Sequence, residues 1–576
     1  MAPDRPLPHS THFAGPEAYI LSLLDQLESN ARLAVLCGGV HVLDFFTSTP
    51  DLYSQLLPAE WRAFFAEHEI LDILDLLMRE DLDIFASSPH KWREGAVPPQ
   101  SLIEYITTVR LHLLLREPTA SQCSRNRQLK LARQVTVGMN IKKVHEVGLF
   151  ASYVDTISSS LSSSSGEEIT HLVDFGSGQN YLGRALASEP YNRSIVAIEG
   201  RANNEARARE YDVSAKLAAK KVVMRNKKAF RAGTEEEPHP QTPPPEMASD
   251  SMPLATDSTS DAKGKIQYIL HHIASGDLSD VIAQIPSPIS ATTEPPKPEP
   301  DLLVMSLHSC GNLVHHGLRS LLLNPSVRAV AMVGCCYNLM TERCGPATYK
   351  LDALRPESTS TTSDGDPDGF PMSNRFLEHT KAAKGLRLNI TARMLAVQAP
   401  SNWREKDSSA FFTRHFYRAL LQRIFLDRGC ISPPAPFDPR AAGAGGESTG
   451  QTSGTPILIG SLPKSSYSSF LSYVRAALGK VYADSDPSRR EMFRTQTANL
   501  TDADIEDYEE KFKEKRKELC VVWSLMAFSA GVVEAVVVVD RWCWLQEQER
   551  VKEAWVEAVF DYGISPRNLV VVGIKK

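Results

Sequence analysis

The chain of 576 residues carries a formal net charge of −6, and 42% of its residues are hydrophobic and 23% charged. Such a composition is ordinary for soluble proteins and excludes the membrane-spanning and fibrous classes, while the length predicts a main domain with large additions or two to three domains. The charge gives no global bias toward nucleic acid, so a surface for it would have to be a local patch.

The first predicted region, residues 1–135, is helical. Apolar residues recur at helical spacing from about Tyr19 to Arg116, as in "EAYILSLLDQLESNARL", "WRAFFAEHEILDILDLLM" and "PPQSLIEYITTVRLHLLLR". We expect four large apolar side chains of this region to pack in a core: Trp61, Phe64, Leu71 and Leu74.

Residues 136–350 are predicted to hold the first five strands of an α/β domain. From His171 onward, short β-rich runs alternate with helices, as in a parallel sheet with crossover helices. The five runs are "HLVDFG", "SIVAIEG", "KIQYILHHI", "DLLVMSLHSCG" and "VRAVAMVGCCYN".

The region 456–576 is predicted to contain C-terminal helices and two last strands that complete the sheet. The strands are "VVEAVVVVDRWCWL" and "RNLVVVGIKK", separated by a helix-like "QEQERVKEAWVEAVF". The run "GVVEAVVVVD" is interrupted by Glu534 and is far shorter than the roughly 20 residues that span a bilayer. We therefore expect a buried strand here and no membrane association.

Three stretches rich in Pro, Ser, Thr, Gly and acids are predicted to be disordered insertions. The first covers about 232–264, and the other two flank a helical insertion over 351–455. A fourth stretch, "SPISATTEPPKPEP", separates a helix from the fourth strand. The serine run at 158–165 is expected to be a flexible connection into the first strand.

The stretch "VDFGSGQNYLGRALA" predicts a strand, a glycine turn and a helix from about Tyr181. In a parallel sheet a ligand lies beyond the carboxyl end of such a strand, facing the first turn of the helix. Gly176 and Gly178 allow close backbone approach. Asn180 stands where a third glycine is often found, and asparagine tolerates a left-handed backbone better than most residues.

Two acids suggest which cofactor this turn holds. Glu199, at the end of the second strand, is placed to accept hydrogen bonds from both hydroxyls of a ribose, which suits a dinucleotide and S-adenosylmethionine equally. Asp174 would repel a pyrophosphate but attract the ammonium and sulfonium groups of the methyl donor. Alternatively, Asp174 only orders the loop. A late pair of strands, with the last one antiparallel between its neighbours, also suits a methyltransferase.

In this order, the segments "MNIKKVHEVGLFASYV", "VDFGSGQNYLGRALA", "LHSCGNL", "VGCCYNLMTE", "VVEAVVVVDRWCWLQEQ" and "SPRNLVVVGIKK" resemble the methyltransferase-like protein 25 family, some relatives of which are named for ribosomal RNA adenine dimethylase. The resemblance implies a Rossmann-like class I fold that binds S-adenosylmethionine. Five residues would hold it: Asp174, Gly176, Ser177, Gly178 and Glu199. Gln179-Asn180 departs from the more usual Lys-Gly. A more distant likeness is to an RNA 2'-O-methyltransferase family with similar cysteine-containing strand ends.

The ends of the fourth and fifth strands, "SLHSCGNL" and "GCCYNLM", are predicted to lie on the same rim as the glycine turn. Methyl transfer needs a positioned acceptor and, for a hydroxyl or amide acceptor, a base. His308 is the candidate base, and Tyr337 is expected to stack on or hydrogen-bond the acceptor. Four further residues are predicted to face the substrate: Cys310, Asn312, Cys336 and Asn338. The Asn/Asp-Pro-Pro-Tyr signature of base amino-group methylation is absent, which weakens adenine dimethylation.

Cysteines 310, 335, 336 and 344 with His308 also invite a zinc interpretation. Adjacent Cys335 and Cys336 would point to opposite sides of a strand, however, so we predict no metal. Small buried packing residues are the alternative. Nine cysteines without paired zinc-ribbon spacing, and a start "MAPDRPLPHS" without an apolar targeting segment, predict an intracellular protein, cytoplasmic or nuclear.

Basic side chains near the predicted site raise two further possibilities. The segment "KKVHEV" is predicted either to bring Lys143 or His145 toward the methionine carboxylate of the donor or to form a plain surface helix.

Residues 201–231 contain ten Lys or Arg residues and three acids. This excess of positive charge predicts either an RNA contact or a solvated helix face.

Taken together, these patterns predict an S-adenosylmethionine-dependent methyltransferase acting on a macromolecule, either RNA or protein. The first alternative is a non-catalytic interaction protein that keeps the fold. The second is a dinucleotide-dependent oxidoreductase, which Asp174 and the tail disfavour.

Overall fold

A computed structural model describes residues 2–87, 92–93, 95–117, 130–165, 168–219, 264–285, 299–344, 365–379, 386–434 and 456–576. The chain divides into two compact units. The first comprises Met1–Asn126, Ile273–Asp280 and Leu303–Lys576, and the second comprises Arg127–His272 and Val281–Leu302.

The second unit is built on three parallel strands in the order β3-β2-β1. These are β1 (His171–Phe175), β2 (Ile195–Glu199) and β3 (Ile266–Leu270). In register, Leu172 pairs with Ile195, which pairs in turn with Ile266. The accompanying helices are Ile141–Ser165, Tyr181–Ala187 and Ala202–Ser214. Strands β1 and β2 are almost wholly buried, as strands of a parallel sheet covered by helices are, whereas β3 is only partly buried.

The serine run at 158–165 is the end of the helix Ile141–Ser165, so the prediction of a flexible connection was wrong. Serine hydroxyls here bond back to the preceding turn: Ser162 Oγ donates to the Ser158 carbonyl at 3.0 Å, and Ser163 Oγ to the Ser159 carbonyl at 2.9 Å. These bonds satisfy the hydroxyls of Ser162 and Ser163 while both residues stay in the helix.

The first unit contains the other four strands, in the order β4-β5-β7-β6. They are β4 (Leu302–Cys310), β5 (Val327–Cys336), β6 (Val551–Ala558) and β7 (Leu569–Lys575). Strand β7 is antiparallel to both β5 and β6. The prediction of an antiparallel last strand between its neighbours is thereby confirmed, as is the mixed α/β class with a helical N-terminal region.

Two C-terminal assignments were exchanged. The run "VVEAVVVVDRWCWL" lies in the helix Arg516–Gln546, not in a strand, whereas "VKEAWVEA", predicted as helix, is strand β6. A continuous apolar run does not distinguish a strand from a helix buried on all sides. Almost every residue of the helix from Leu519 to Leu545 is buried, which overrides the strand preference of its valines.

The remaining α-helices are Pro16–Ser29, Ala31–Ala34, Leu52–Leu56, Ala59–Glu67, Ile70–Met78, Ile84–Ser87, Gln100–Leu111, Ser279–Ile282, Leu313–Leu323, Asn374–Glu378, Ile390–Leu395, Glu405–Asp427, Phe470–Val481, Pro487–Gln496 and Asp502–Phe512. A π-helical turn covers Val35–Gly39, and short 3-10 turns include Val42–Asp44 and Tyr337–Leu339.

Of the predicted core residues, Trp61, Phe64 and Leu74 are buried, but Leu71 is 44% exposed. The predicted insertion at about 232–264 lies outside the described residues except for residue 264, as do most of the two stretches that flank the insertion 351–455.

The helix Arg516–Gln546 is the central element of the first unit. Tyr105 Oη and Cys37 Sγ, from the N-terminal helical region, reach Ser529 Oγ at 2.6 Å and the Ser529 carbonyl at 3.3 Å. The stretch Asp502–Gln546 is long and apolar enough to cross a membrane, but 94% of its most apolar window is buried inside the protein. That burial is what a core helix shows. The predicted domain bounds, with a first region ending at 135, stay a prediction.

Candidate functional site

The glycine turn after β1 is built from three left-handed residues. Gly176, Gly178 and Asn180 have φ of 65°, 58° and 50°. The predicted tolerance of Asn180 for this conformation is therefore confirmed, and the turn forms without a glycine at that position. The helix that follows begins at Tyr181, as predicted.

Asn180 is held by a chain of buried polar groups that the sequence analysis missed. Its Nδ2 donates to Tyr268 Oη at 2.9 Å, and that hydroxyl donates to Asp212 Oδ2 at 2.6 Å. Arg184 closes the ring, since its Nε donates to Asp212 Oδ1 at 3.2 Å and its Nη2 to the Gln179 carbonyl at 2.9 Å. Asp212 and Tyr268 come from the helix Ala202–Ser214 and from β3, so only the folded chain brings them to the turn.

The third glycine of the motif stands at position 183. A Cβ added to Gly183 would lie 2.0 Å from Asn180 Oδ1 and 2.9 Å from Ile195 Cγ2. The missing side chain lets the helix approach strand β2 closely, which is the packing role of the last glycine in nucleotide-binding turns. The signal was present in the sequence as "GSGQNYLG", with the last glycine displaced along the helix.

Glu199, at the end of β2, holds the turn in place. Its Oε2 accepts the backbone amide of Gly178 at 2.8 Å, and its Oε1 accepts the Arg201 amide at 3.0 Å and Asn204 Nδ2 at 3.2 Å. Each carboxylate oxygen has two lone-pair sites, so capacity for a further donor is left on Oε2. The role of Glu199 toward a ribose stays a prediction.

Asp174 is buried below the same turn. Burial and, to a smaller extent, nearby Glu199 raise the pKa of this carboxyl, Lys143 opposes them, and the pKa is about 8 as a result. A buried carboxyl held among these groups gains most from a cationic partner, because the partner's charge offsets the desolvation penalty. Lys143 Nζ itself lies 3.1 Å from Glu146 Oε2 on the helix Ile141–Ser165.

These residues fit the methyl donor that the resemblance implies. A Cβ built on Gly178 meets no atom within 4 Å, so there is open space above the turn. Ser177 Oγ is buried and has no hydrogen-bond partner within the described part of the chain. The site therefore offers open space, a hydroxyl without a partner and two buried carboxyl groups. These features suit a ligand that has a cationic end and a hydroxylated ring.

The predicted substrate-side residues lie in the first unit, and their sharing a rim with the turn stays a prediction. Asn312 is engaged within the fold: its Nδ2 donates to Thr341 Oγ1 at 2.6 Å, and its Oδ1 accepts the Thr341 amide at 3.0 Å. Asn338 is half-buried in the turn after β5. His308 is half-buried near the end of β4. Their roles stay predictions.

Tyr337 is buried, and its hydroxyl donates to Glu534 Oε1 at 2.8 Å. Glu534 also accepts from Arg116 and Arg567. Burial pushes the pKa of Glu534 upward, but the two guanidinium groups more than offset it, so the pKa lies below its ordinary value. The geometry gives the Tyr337 hydroxyl a position in a buried charge network, and a role toward a methyl acceptor stays a prediction.

Three cysteines meet at the ends of β4 and β5. The sulfur of Cys335 lies 3.5 Å from that of Cys310 and 3.5 Å from that of Cys336. The expectation that Cys335 and Cys336 point apart was wrong, because Cys336, at ψ 74°, has left the extended conformation. Hydrogen bonds from Cys310 and Cys335 lower the pKa of the Cys336 thiol to about 3.

The basic segment 201–231 is described only as far as residue 219. Its four described basic residues are exposed around the helix Ala202–Ser214: Arg201, Arg207, Arg209 and Lys216. Arg209 is paired with Glu205 at 2.7 Å. The other six basic residues lie outside the described residues.

Comparison with known proteins agrees with this geometry. Residues 142–343 match a family model described as a methyltransferase domain. The probable methyltransferase-like protein 25 of Mus musculus is 29% identical over 276 residues, which are 48% of this chain and 38% of that protein. The probable methyltransferase-like protein 25 of Homo sapiens is 28% identical over 276 residues, which are 48% of this chain and 37% of that protein. No solved structure matches the chain significantly.

The family model covers the glycine turn, both acids and the cysteine-containing strand ends. The alignment with the two relatives spans less than two fifths of the length of each of them. Residues 142–343 therefore form a methyltransferase domain, and the chain is similar in sequence to the two proteins named probable methyltransferase-like protein 25.

Proposed function

We propose that the protein is an S-adenosylmethionine-dependent methyltransferase acting on a macromolecule, either RNA or protein, within the cell. The observation that carries the proposal is the glycine turn with Asp174 beneath it and Glu199 bonded to Gly178. None of the eight cysteines in the described residues forms a disulfide, which fits a reducing compartment.

When bound, the donor supplies a methyl group made electrophilic by its sulfonium. Asp174 is proposed to hold the ammonium end, since ionisation of this buried carboxyl becomes favourable beside a cation. Glu199 is proposed to accept the ribose hydroxyls while it keeps the turn closed through the Gly178 amide. The amides of the turn then exclude water from one side of the donor.

On the acceptor side, His308 is proposed to take the proton that a hydroxyl or amide acceptor loses. It stands two residues before Cys310 on β4, so the two side chains belong to the same face of the strand. The exposed basic residues around the helix Ala202–Ser214 are proposed to contact phosphates if the substrate is RNA.

The first test is calorimetric titration of the whole chain with S-adenosylmethionine, S-adenosylhomocysteine and NADH. We expect the two sulfur ligands to bind, and Asp174→Asn to weaken S-adenosylmethionine roughly 10- to 100-fold, as loss of a charged hydrogen bond does. Glu205→Gln, which alters only an exposed pair with Arg209, is the matched control and should bind normally.

Binding of neither sulfur ligand would favour the non-catalytic interaction protein, and binding of NADH alone would overturn the assignment. If the donor binds, transfer of a radiolabelled methyl group to cell fractions treated with ribonuclease or protease distinguishes RNA from protein. Loss of label after one treatment identifies the substrate class.

A further inference from the structure

The strongest feature that the proposed function leaves unexplained is the cluster of Cys310, Cys335 and Cys336. All three sulfurs lie within 4.8 Å of one another, and two of the distances are 3.5 Å. In a tetrahedral zinc site the Zn–S bonds are about 2.3 Å, which places neighbouring sulfurs about 3.8 Å apart. The cluster therefore already has the spacing of three ligands around one ion.

The backbone at this point holds the two strand ends together. The Gly311 amide donates to the Cys336 carbonyl at 3.1 Å, directly after Cys310. Gly311 has φ of 56°, and a Cβ there would lie 2.4 Å from the Leu339 carbonyl oxygen. The cysteines consequently stand on rigid, closely packed elements, as ligands of a preorganised site do.

The surroundings suit the charge of such a site. Three thiolates around a divalent ion carry a net negative charge, which a buried site must offset. The guanidinium group of Arg541 lies 5.6 Å from the ring of Tyr337, the residue after Cys336, and that of Arg567, which is also bonded to Glu534, lies 5.7 Å from it. The three cysteines are half-buried, so an ion has access from solvent.

A simple thiol pair explains the arrangement less well. A disulfide between two of the cysteines would leave the third sulfur close to it, and a packing role would not require three sulfurs from two strands to converge. Zinc prefers thiolate ligands, and sites with three protein ligands keep a fourth position for water or substrate.

The geometry points to a three-thiolate site for Zn²⁺ formed by Cys310, Cys335 and Cys336, with its fourth position open. Each cysteine binds as a thiolate, so any thiol proton still present passes to solvent as the three Zn–S bonds form. The metal would lie where β4 and β5 end, beside the candidate base His308.

The test is the metal content of the full chain purified under reducing conditions after growth with zinc. We expect inductively coupled plasma mass spectrometry to find about one zinc ion per chain. After exchange of zinc for Co²⁺, we expect the visible absorption bands of tetrahedral cobalt and the charge-transfer bands of cobalt bound to thiolate. Cys310→Ser and Cys336→Ser should each lose the metal. Cys430→Ser, a half-buried free cysteine of the same unit, is the matched control and should keep it.

Should the cysteine variants fail to fold, the cobalt spectrum of the unaltered chain decides the question alone. A chain that takes up neither zinc nor cobalt would overturn the proposal. So would metal loss in Cys430→Ser equal to that in Cys310→Ser, or a Cys310–Cys335 disulfide found by peptide mapping of protein kept anaerobic and reduced. Titration of the same protein samples with S-adenosylmethionine tests the proposed function independently, because donor binding and metal content are measured separately.

Discussion

Glu199 accepts the backbone amide of Gly178 at 2.8 Å, so the last side chain of β2 holds the turn that follows β1. The same carboxylate accepts from the Arg201 amide and from Asn204. The carboxylate thus accepts hydrogen bonds from three N–H groups of the turn and the next helix that would otherwise lack this partner.

Replacing Glu199 by Gln should loosen the turn. The side-chain amide of Gln has one acceptor oxygen, and its other terminal atom is an NH2 group that only donates, so at least one of the three N–H groups loses its partner. We expect S-adenosylmethionine affinity to fall roughly 10- to 100-fold and the amides of residues 176–180 to exchange faster with deuterium. Exchange of these amides at the unaltered rate would show that Glu199 does not support the turn.

Asp174 should make stability depend on pH. Its folded pKa, about 8, lies above the ordinary value of 3.8, so the native state keeps a proton that the unfolded state has lost. The contribution is fully present below about pH 4 and is lost progressively as pH rises to about 8. Asp174→Asn should therefore unfold at a higher temperature than the unaltered chain at pH 8, and at a similar one at pH 4.

Asp155→Asn is the control for that comparison, because Asp155 is a partly exposed partner of Arg193 at 2.7 Å. A melting temperature for Asp174→Asn that stays below that of the unaltered chain across pH 4 to 8 would contradict the expected protonation. Donor affinity measured over the same range should rise with pH, since a cation binds the ionised carboxyl.

Gly183→Ala should destabilise the second unit. The new Cβ would lie 2.0 Å from Asn180 Oδ1 and 2.9 Å from Ile195, so the helix must move away from β2. Overpacking of this kind costs about 1–3 kcal/mol in the free energy of unfolding, which urea titration measures. Gly479→Ala is the matched control: its Cβ would meet nothing within 4 Å, inside the helix Phe470–Val481. It should stabilise the protein by roughly 0.5–1 kcal/mol.

Glu534→Gln should be strongly destabilising. It removes the negative charge that accepts from Arg116, Arg567 and Tyr337, and it leaves two guanidinium groups uncompensated in the interior. Breaking a buried pair in this way costs about 3–5 kcal/mol. Glu553→Gln, whose side chain is 35% exposed beside Lys552, should change the free energy of unfolding little.

The pH dependence gives a second check on Glu534. Because its folded pKa lies below the ordinary 4.5, its contribution is present above about pH 4.5 and is lost as pH falls through the lower folded value. Glu534→Gln should lack this acid-dependent loss. If the stability of Glu534→Gln fell with decreasing pH as much as that of the unaltered chain, the loss of stability in acid would have to come from other carboxyl groups.

The local pattern of the sequence determined the strand, turn and helix around residues 171–187, including the left-handed Asn180. It did so because φ preferences and hydrophobic periodicity act over a few neighbouring residues. The last strand also followed from sequence, since "RNLVVVGIKK" is a short apolar run bounded by turn residues, whereas its antiparallel direction was expected only because a methyltransferase sheet has it.

Only the tertiary structure decided what depends on distant residues. The valine-rich run became a helix because packing on all sides of it outweighed local preference, and β6 formed because β7 offered it an edge to pair with. Gly183, the Asn180–Tyr268 bond and the meeting of Cys310 with Cys335 depend on contacts between separate elements. Such contacts set the geometry of both candidate sites, and no periodicity along the chain records them.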